Sequence, residues 1–319
     1  MIQFVGTVLL GIAMGRGDLV EQGKLEVQGS LRGGTDLSAV ERCGDLLLIV
    51  ADESQQLQVL RKKGARQYQV EHNIPLSEGD RELDLEAIAV HGQTCWALGS
   101  HALKRPRIDD DARLATNRRK ILEVKHEPTR DCLFRFELDD NGLPGPIVRI
   151  NLRPIFENDP VLAPFARIPG KENGLDFEGM TWHDGRLFLG LRSPVLRGNF
   201  AVVMVLNPDA PEQYQLRYLD IRGFGIRALA SVAGGLLGIA GPINGLDEDH
   251  RLFFWDGEDG LPGKDVASPE TRWYGKIPGP KKGKAEGLAV LAEHDDHVRI
   301  LVVYDGVKGG QPSLFDVPR

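Results

Sequence analysis

Residues Leu175–Gly198 read LDFEGMTWHDGRLFLGLRSPVLRG. Apolar residues flank the polar turn His183–Gly185, so the stretch is a two-stranded hairpin followed by an arginine-bearing loop. The plan recurs. LDLEAIAVHGQTCWALGS (Leu83–Ser100) and KAEGLAVLAEHDDHVRILVVYDG (Lys284–Gly306) repeat it closely. TDLSAVERCGDLLLIVADES (Thr35–Ser54) and FGIRALASVAGGLLGIAGP (Phe224–Pro242) repeat it more loosely. One position is held in turn by Ser38, Glu86, Glu178, Arg227 and Glu286, at spacings of 48, 92, 49 and 59 residues.

Working outward, most copies are followed by a third strand: LQVL, CLFRFEL, AVVMVL and RLFFWD. A fourth comes next: YQVEHN, GPIVRINL, QLRYLDI and TRWYGKI. The turns between third and fourth strands match in two copies, DDNGLPG (Asp139–Gly145) and GEDGLPG (Gly257–Gly263). Asn-Gly and Asp-Gly favour tight hairpins, because both positions tolerate positive φ. Four short strands per repeat of about 40–50 residues is the signature of a β-propeller blade. The last copy has only PSLFDVPR before the chain stops, one strand short. An N-terminal strand completing that blade closes the ring, and KLEVQGSL (Lys24–Leu31) or QFVGTVLL is the candidate. The expectation is one all-β domain over residues 1–319: a propeller of five blades of four antiparallel strands. The 92-residue interval leaves a sixth open.

That interval contains two insertions. Residues 101–130 carry nine Lys/Arg against five Asp/Glu, a basic island in a chain of net charge −7. Residues 153–174 are proline-rich and read as irregular cover over a blade.

The acidic balance argues against nucleic acid as a partner, since phosphate backbones select basic surfaces. Cys43, Cys95 and Cys132 are odd in number and lack C-x-x-C spacing, so they read as buried small hydrophobes. That suits a reducing, cytoplasmic compartment. The N-terminal run MIQFVGTVLLGIAMGRGD has no basic residue before Arg16 and falls short of the about 20 apolar residues of a membrane span. An edge strand fits it better than a signal peptide, and no membrane partner is expected.

No nucleophile elbow, H-E-x-x-H or P-loop is present. Topology gives the better signal. In a propeller, first strands line the channel and begin on the face where second strands end. Ser38, Glu86, Glu178, Arg227 and Glu286 are therefore expected around one mouth, with Asp52, Ser100, Arg192, Pro242 and Asp305 beside them. Glu86, Glu178 and Glu286 are candidate general bases or ligands of a hard cation such as Ca²⁺. Arg192, Arg197 and Arg227 are candidate anchors for an anionic group, aided by Ser100, Asp52 and Asp305. Internal pairing of Glu178 with Arg192 or Arg227 is the equal alternative.

At LDFEG, GLRSPVLRG and KAEGLAV the chain resembles a bacterial family catalogued as domain of unknown function 3616. That family is similar to the esterase-like, phytase-like group of propellers. The resemblance covers the chain from about Leu31 onward. It implies a phytase-like propeller but no established activity, and the aspartate clusters of a phytase calcium–phosphate site do not map onto this sequence. Two functional classes follow. One is a hydrolase of an ester or phosphoester that binds a small anionic ligand. The other is a non-catalytic scaffold that binds a ligand or an unidentified protein.

Overall fold

The computed structural model describes residues 18–79, 81–244 and 249–319. Five sheets surround a channel. Blade 1 is β3 (Leu37–Cys43), β4 (Leu46–Ala51), β5 (Gln56–Lys62) and β6 (Gln67–Pro75). Blade 2 is β7 (Leu85–His91), β8 (Thr94–Gly99), β9 (Leu133–Glu137) and β10 (Val148–Ile150). Blade 3 is β11 (Asp176–His183), β12 (Arg186–Leu196), β13 (Phe200–Asn207) and β14 (Ala210–Asp220). Blade 4 is β15 (Gly225–Val232), β16 (Gly235–Gly241), β17 (Arg251–Trp255) and β18 (Thr271–Lys276). Blade 5 is β19 (Lys284–Glu293), β20 (His297–Asp305) and β21 (Ser313–Pro318), completed by β1 (Val20–Lys24). The inner strands β3, β7, β11, β15 and β19 touch in sequence, and β19 returns to β3. The fold is the expected five-bladed propeller.

Closure differs in detail from the expectation. The strand that completes blade 5 is Val20–Lys24, which pairs antiparallel with β21. Within KLEVQGSL, Glu26–Gln28 forms β2, which runs parallel to β6 and gives blade 1 a fifth strand. The other candidate, QFVGTVLL, lies outside the described residues. One short stretch therefore straps blade 5 to blade 1 by backbone hydrogen bonds on both sides.

The core is divided among the five blade interfaces. Side chains alternate across a strand, so each blade feeds two interfaces. In β4, Leu46, Leu48 and Val50 pack toward blade 2, while Leu47, Ile49 and Ala51 pack toward blade 5. That is why the second strands read as continuous apolar runs rather than alternating ones.

Each inner strand carries a β-bulge at one level. The register shifts lie between Leu37 and Ala39, Leu85 and Ala87, Phe177 and Gly179, Ile226 and Ala228, and Ala285 and Gly287. The residue skipped each time is Ser38, Glu86, Glu178, Arg227 or Glu286. A bulge leaves one residue unpaired and re-aims its side chain. The residue after it is small because inner strands approach closely there. At Gly287 a Cβ would lie 2.4 Å from Val303 and 3.0 Å from the Val40 nitrogen.

The insertions depart from β8 and β10 on the same face. The first contains helix α1 (Leu114–Leu122), which buries none of its residues. The second begins with α2 (Arg153–Phe156). They dock on each other. Gly170 N–H donates to the Leu103 carbonyl at 3.0 Å, and the Arg105 guanidinium donates to Glu172 at 3.0 Å. Buried Arg153 grips both carboxylate oxygens of Asp131 at 2.8 Å and donates to the His101 carbonyl at 2.7 Å. The His101 ring packs edge-on against Phe156 and Phe177. Burial lowers its pKa to about 4, so it sits neutral in this plug. Among the described residues no helix is long and apolar enough to cross a membrane.

Candidate functional site

The five bulges bring Ser38, Glu86, Glu178, Arg227 and Glu286 together at the channel mouth. Their environments differ. The Ser38 hydroxyl donates to the Leu85 carbonyl and latches blade 1 to blade 2. Glu178 is held by two arginines: Arg192 at one oxygen, and Arg227 at the other at 2.7 Å. Arg227 reaches on to Glu286 at 3.2 Å and donates to the Pro242 carbonyl at 2.8 Å. Arg192 also pairs with Asp176, its cross-strand neighbour's companion on β11. Arg227 and Glu178 are buried, at 3% and 5% side-chain exposure. The guanidinium donors that an anionic ligand would need are thus directed at carboxylates, the internal pairing weighed from the sequence.

Glu86 stands apart. Among the described residues it has no hydrogen-bond or ion-pair partner. Burial, then the charges of Asp84, Glu178, Asp176 and Glu286, push its carboxyl well above the ordinary carboxylate range. Burial also raises Glu286 to about 8 and Asp176 to about 7, outweighing the opposing arginines.

The rim continues across blades 5, 1 and 2. Ser100 donates to Asp84, which also accepts from Arg130 at 2.8 Å. Asp52 is lifted to about 7 by burial and by the charges of Asp84, Asp305 and Asp36. Asp305 pairs with Lys284 at 2.6 Å and is bridged through its backbone to Asp36. The structure therefore joins eight of the nine sequence candidates around one mouth. Arg197 is the exception. β12 continues through Pro194–Leu196 and carries Arg197 to an exposed hairpin turn, with no hydrogen bond or ion pair to the ring.

Four mouth residues escaped the sequence reading: Asp36, Asp84, Asp176 and Lys284. Each lies two residues before the ring position of its repeat. The signal was present as D-L-S, D-L-E, D-F-E and K-A-E. Arg130, the last residue of the basic insertion, also turns inward, so the island's final charge serves the mouth.

In the channel Ala39, Ala87, Met180, Ala228 and Leu288, together with Glu86, Glu178 and Glu286, line a cavity with room only for a water-sized occupant. Among the described residues no three His, Cys, Asp or Glu side chains converge as a metal-ligand set.

The family model described as "Protein of unknown function (DUF3616)" matches residues 36–151 and 148–311, and the chain belongs to that family. No curated protein matches it. Among solved structures, a glutaminyl cyclase from Myxococcus xanthus is 12% identical, with a TM-score of 0.48 over 92% of this chain and 97% of that one. The PQQ-bound aldose sugar dehydrogenase from Streptomyces coelicolor is 11% identical, with a TM-score of 0.47 over 95% and 98%. A hypothetical protein from Leishmania major is 14% identical, with a TM-score of 0.43 over 94% and 90%. These likenesses say nothing of the chemistry at the mouth.

Proposed function

We propose that this member of the DUF3616 family is a hydrolase of carboxylic esters, with the channel mouth as its active site and Glu86 as its acid–base group. The observation that carries the reading is Glu86 itself, a carboxyl without a partner among four other carboxyl groups. Carboxyls whose environments drive their proton affinities apart are the usual signature of acid–base assignment. Glu178 is held by two arginines, while Glu86, with no such partner among the described residues, has its carboxyl pushed well above the ordinary range. In the reaction, water adds to the acyl carbon, the carbon–oxygen bond to the alcohol breaks, and Glu86 passes a proton to the departing oxygen. Asp52, near 7, is the rim group suited to accept the proton of the attacking water.

The charge balance favours a neutral or cationic ester over a phosphoester. Asp36, Asp52, Asp84 and Asp305 line the open side of the mouth, while Arg192 and Arg227 are occupied. This moves the reading away from an anionic substrate. The esterase-like part of the family resemblance leans the same way; the phytase-like part finds no free phosphate anchor here.

A second reading has one observation behind it. The cavity that Glu86, Glu178 and Glu286 line inside the channel holds nothing larger than water, so a ligand would sit on the top face above it. A non-catalytic binding face would look the same. Short-chain aryl esters and phosphoesters, each assayed with and without Ca²⁺, separate the two. Turnover of neutral esters that falls about 10²–10⁴-fold in Glu86→Gln supports the hydrolase. Absence of turnover across both substrate classes leaves the binding reading.

A further inference from the structure

The ring lies where the inner strands begin. At the other end of the channel, Cys43 closes β3 and Cys95 is the second residue of β8. These belong to adjacent blades. Cys43 packs against the cluster between blades 1 and 2, in which Cys95 is buried. Cys95 Sγ lies 3.7 Å from the Gln93 carbonyl, on the turn that leads into β8. Cys43 Sγ also lies 3.7 Å from the Gly92 carbonyl, on the turn just before Cys95. Cys43 is half-buried and open to small reagents; Cys95 and Cys132 are buried.

We propose that Cys43 and Cys95 are a reversible dithiol–disulfide pair that, when oxidised, staples blade 1 to blade 2. Both sulfurs lie against the adjacent carbonyls of the Gly92–Gln93 turn, at one interface between the two blades. The neighbouring Cys95 thiol lowers Cys43 to about 7, and Cys43 together with burial raises Cys95. Glu41 and Arg42 are the charged groups beside them. The thiolate is the nucleophile, so Cys43 reacts first. With hydrogen peroxide as oxidant, Cys43 sulfur attacks one oxygen, the O–O bond breaks, and a sulfenic acid and one water form. Cys95 sulfur then attacks the Cys43 sulfur, the S–O bond breaks, and a second water leaves with the Cys95 proton. Two thiols and one peroxide give one disulfide and two waters.

The test uses the whole chain. Denatured, reduced protein should titrate three thiols, one for each of Cys43, Cys95 and Cys132. After peroxide it should titrate one, assigned to Cys132 by mass spectrometry, with a proteolytic peptide joining residues 43 and 95. Dithiothreitol should restore all three. Cys95→Ser should trap the sulfenic acid at Cys43, detected with dimedone, and Cys43→Ser should leave Cys95 reduced. The proposal is overturned by sulfinic acid at Cys43 with Cys95 still reduced, by a link between chains, or by three thiols surviving peroxide that oxidises free cysteine. Wild-type protein alone decides these outcomes, so a variant that fails to fold leaves the test intact.

Discussion

The mouth of the channel has two halves built from the same backbone device. On blades 3 and 4 the bulged residues are Glu178 and Arg227, and every charge finds an opposite one: Arg192 with Asp176 and Glu178, Arg227 with Glu178 and Glu286. On blades 1 and 2 the bulged residues are Ser38 and Glu86. There Glu86 faces the charges of Asp84, Glu178, Asp176 and Glu286, while Arg130 and Lys284 pair with Asp84 and Asp305 at the perimeter. The bulge recurs five times, so the fold accounts for it. The charge on the bulged residue does not recur with its partner, so the fold cannot account for Glu86. One half of the ring is a buried ion-pair network that holds blades together. The other half carries Glu86, a carboxyl with no hydrogen-bond or ion-pair partner among the described residues.

The sharpest break between the halves should come from Arg227→Ala. It leaves Glu178 with one partner fewer and Glu286 with none of its arginine, both at the centre of the molecule. Removing one member of a buried pair costs about 3–5 kcal/mol. Urea unfolding should show a loss of that size, against a loss below about 1 kcal/mol for Glu86→Gln at pH 6, which removes no partner. Equal losses for the two variants would erase the distinction between a structural half and a functional one.

The next effect is in the pH dependence. Glu86 is held well above its ordinary value of 4.5, Glu286 at about 8, and Asp176 and Asp52 at about 7. Their folded-state affinities are raised, so the folded chain keeps protons that the unfolded chain has released above the ordinary carboxylate range. Their contribution is fully present at low pH and is lost as pH climbs through 7 and 8. Melting temperature should therefore fall between pH 6 and pH 9. Glu86→Gln should flatten that fall, because one carboxyl of the mouth no longer ionises and repels its neighbours. Parallel curves for the two proteins would mean that Glu86 is solvated and ordinary.

Much of this was legible in the sequence, for physical reasons. A ring of blades needs the same bulge and the same small residue at the same level, and E-G-L, E-G-M and E-A-I record that need. The closing strand was misplaced because Val20–Lys24 (VEQGK) lies at a sheet edge, where little is buried and no alternation is enforced. β2 was read as part of that strand because a parallel partner 41 residues away leaves no local mark. At the site, the positions were legible and the pairing was not. Arg192 is 16 residues from Asp176 along the chain, yet the hairpin register Asp176↔Ser193 puts them side by side. Arg197 looked like its companion because the loop GLRSPVLRG gives no sign that β12 runs on past Ser193.

The smallest predicted effect lies where the halves meet, at Lys284. Its pair with Asp305 is short, 2.6 Å, but the ammonium is 51% exposed and the carboxylate 16%. Pairs open to water contribute roughly 0–1 kcal/mol, so Lys284→Ala should barely change the urea midpoint. It should still change a proton affinity. Lys284 lies close enough to Glu286 to lower its pKa, against the burial and carboxylate charges that raise it to about 8. Removing the ammonium should therefore move the Glu286 titration upward, measured by carbon-13 NMR of its side-chain carboxyl. A stability loss as large as that of Arg227→Ala would show that blade 5 is locked like blades 3 and 4. A Glu286 titration that stays in place would show that Arg227 alone governs that carboxyl, and that the open half of the mouth ends at Asp305.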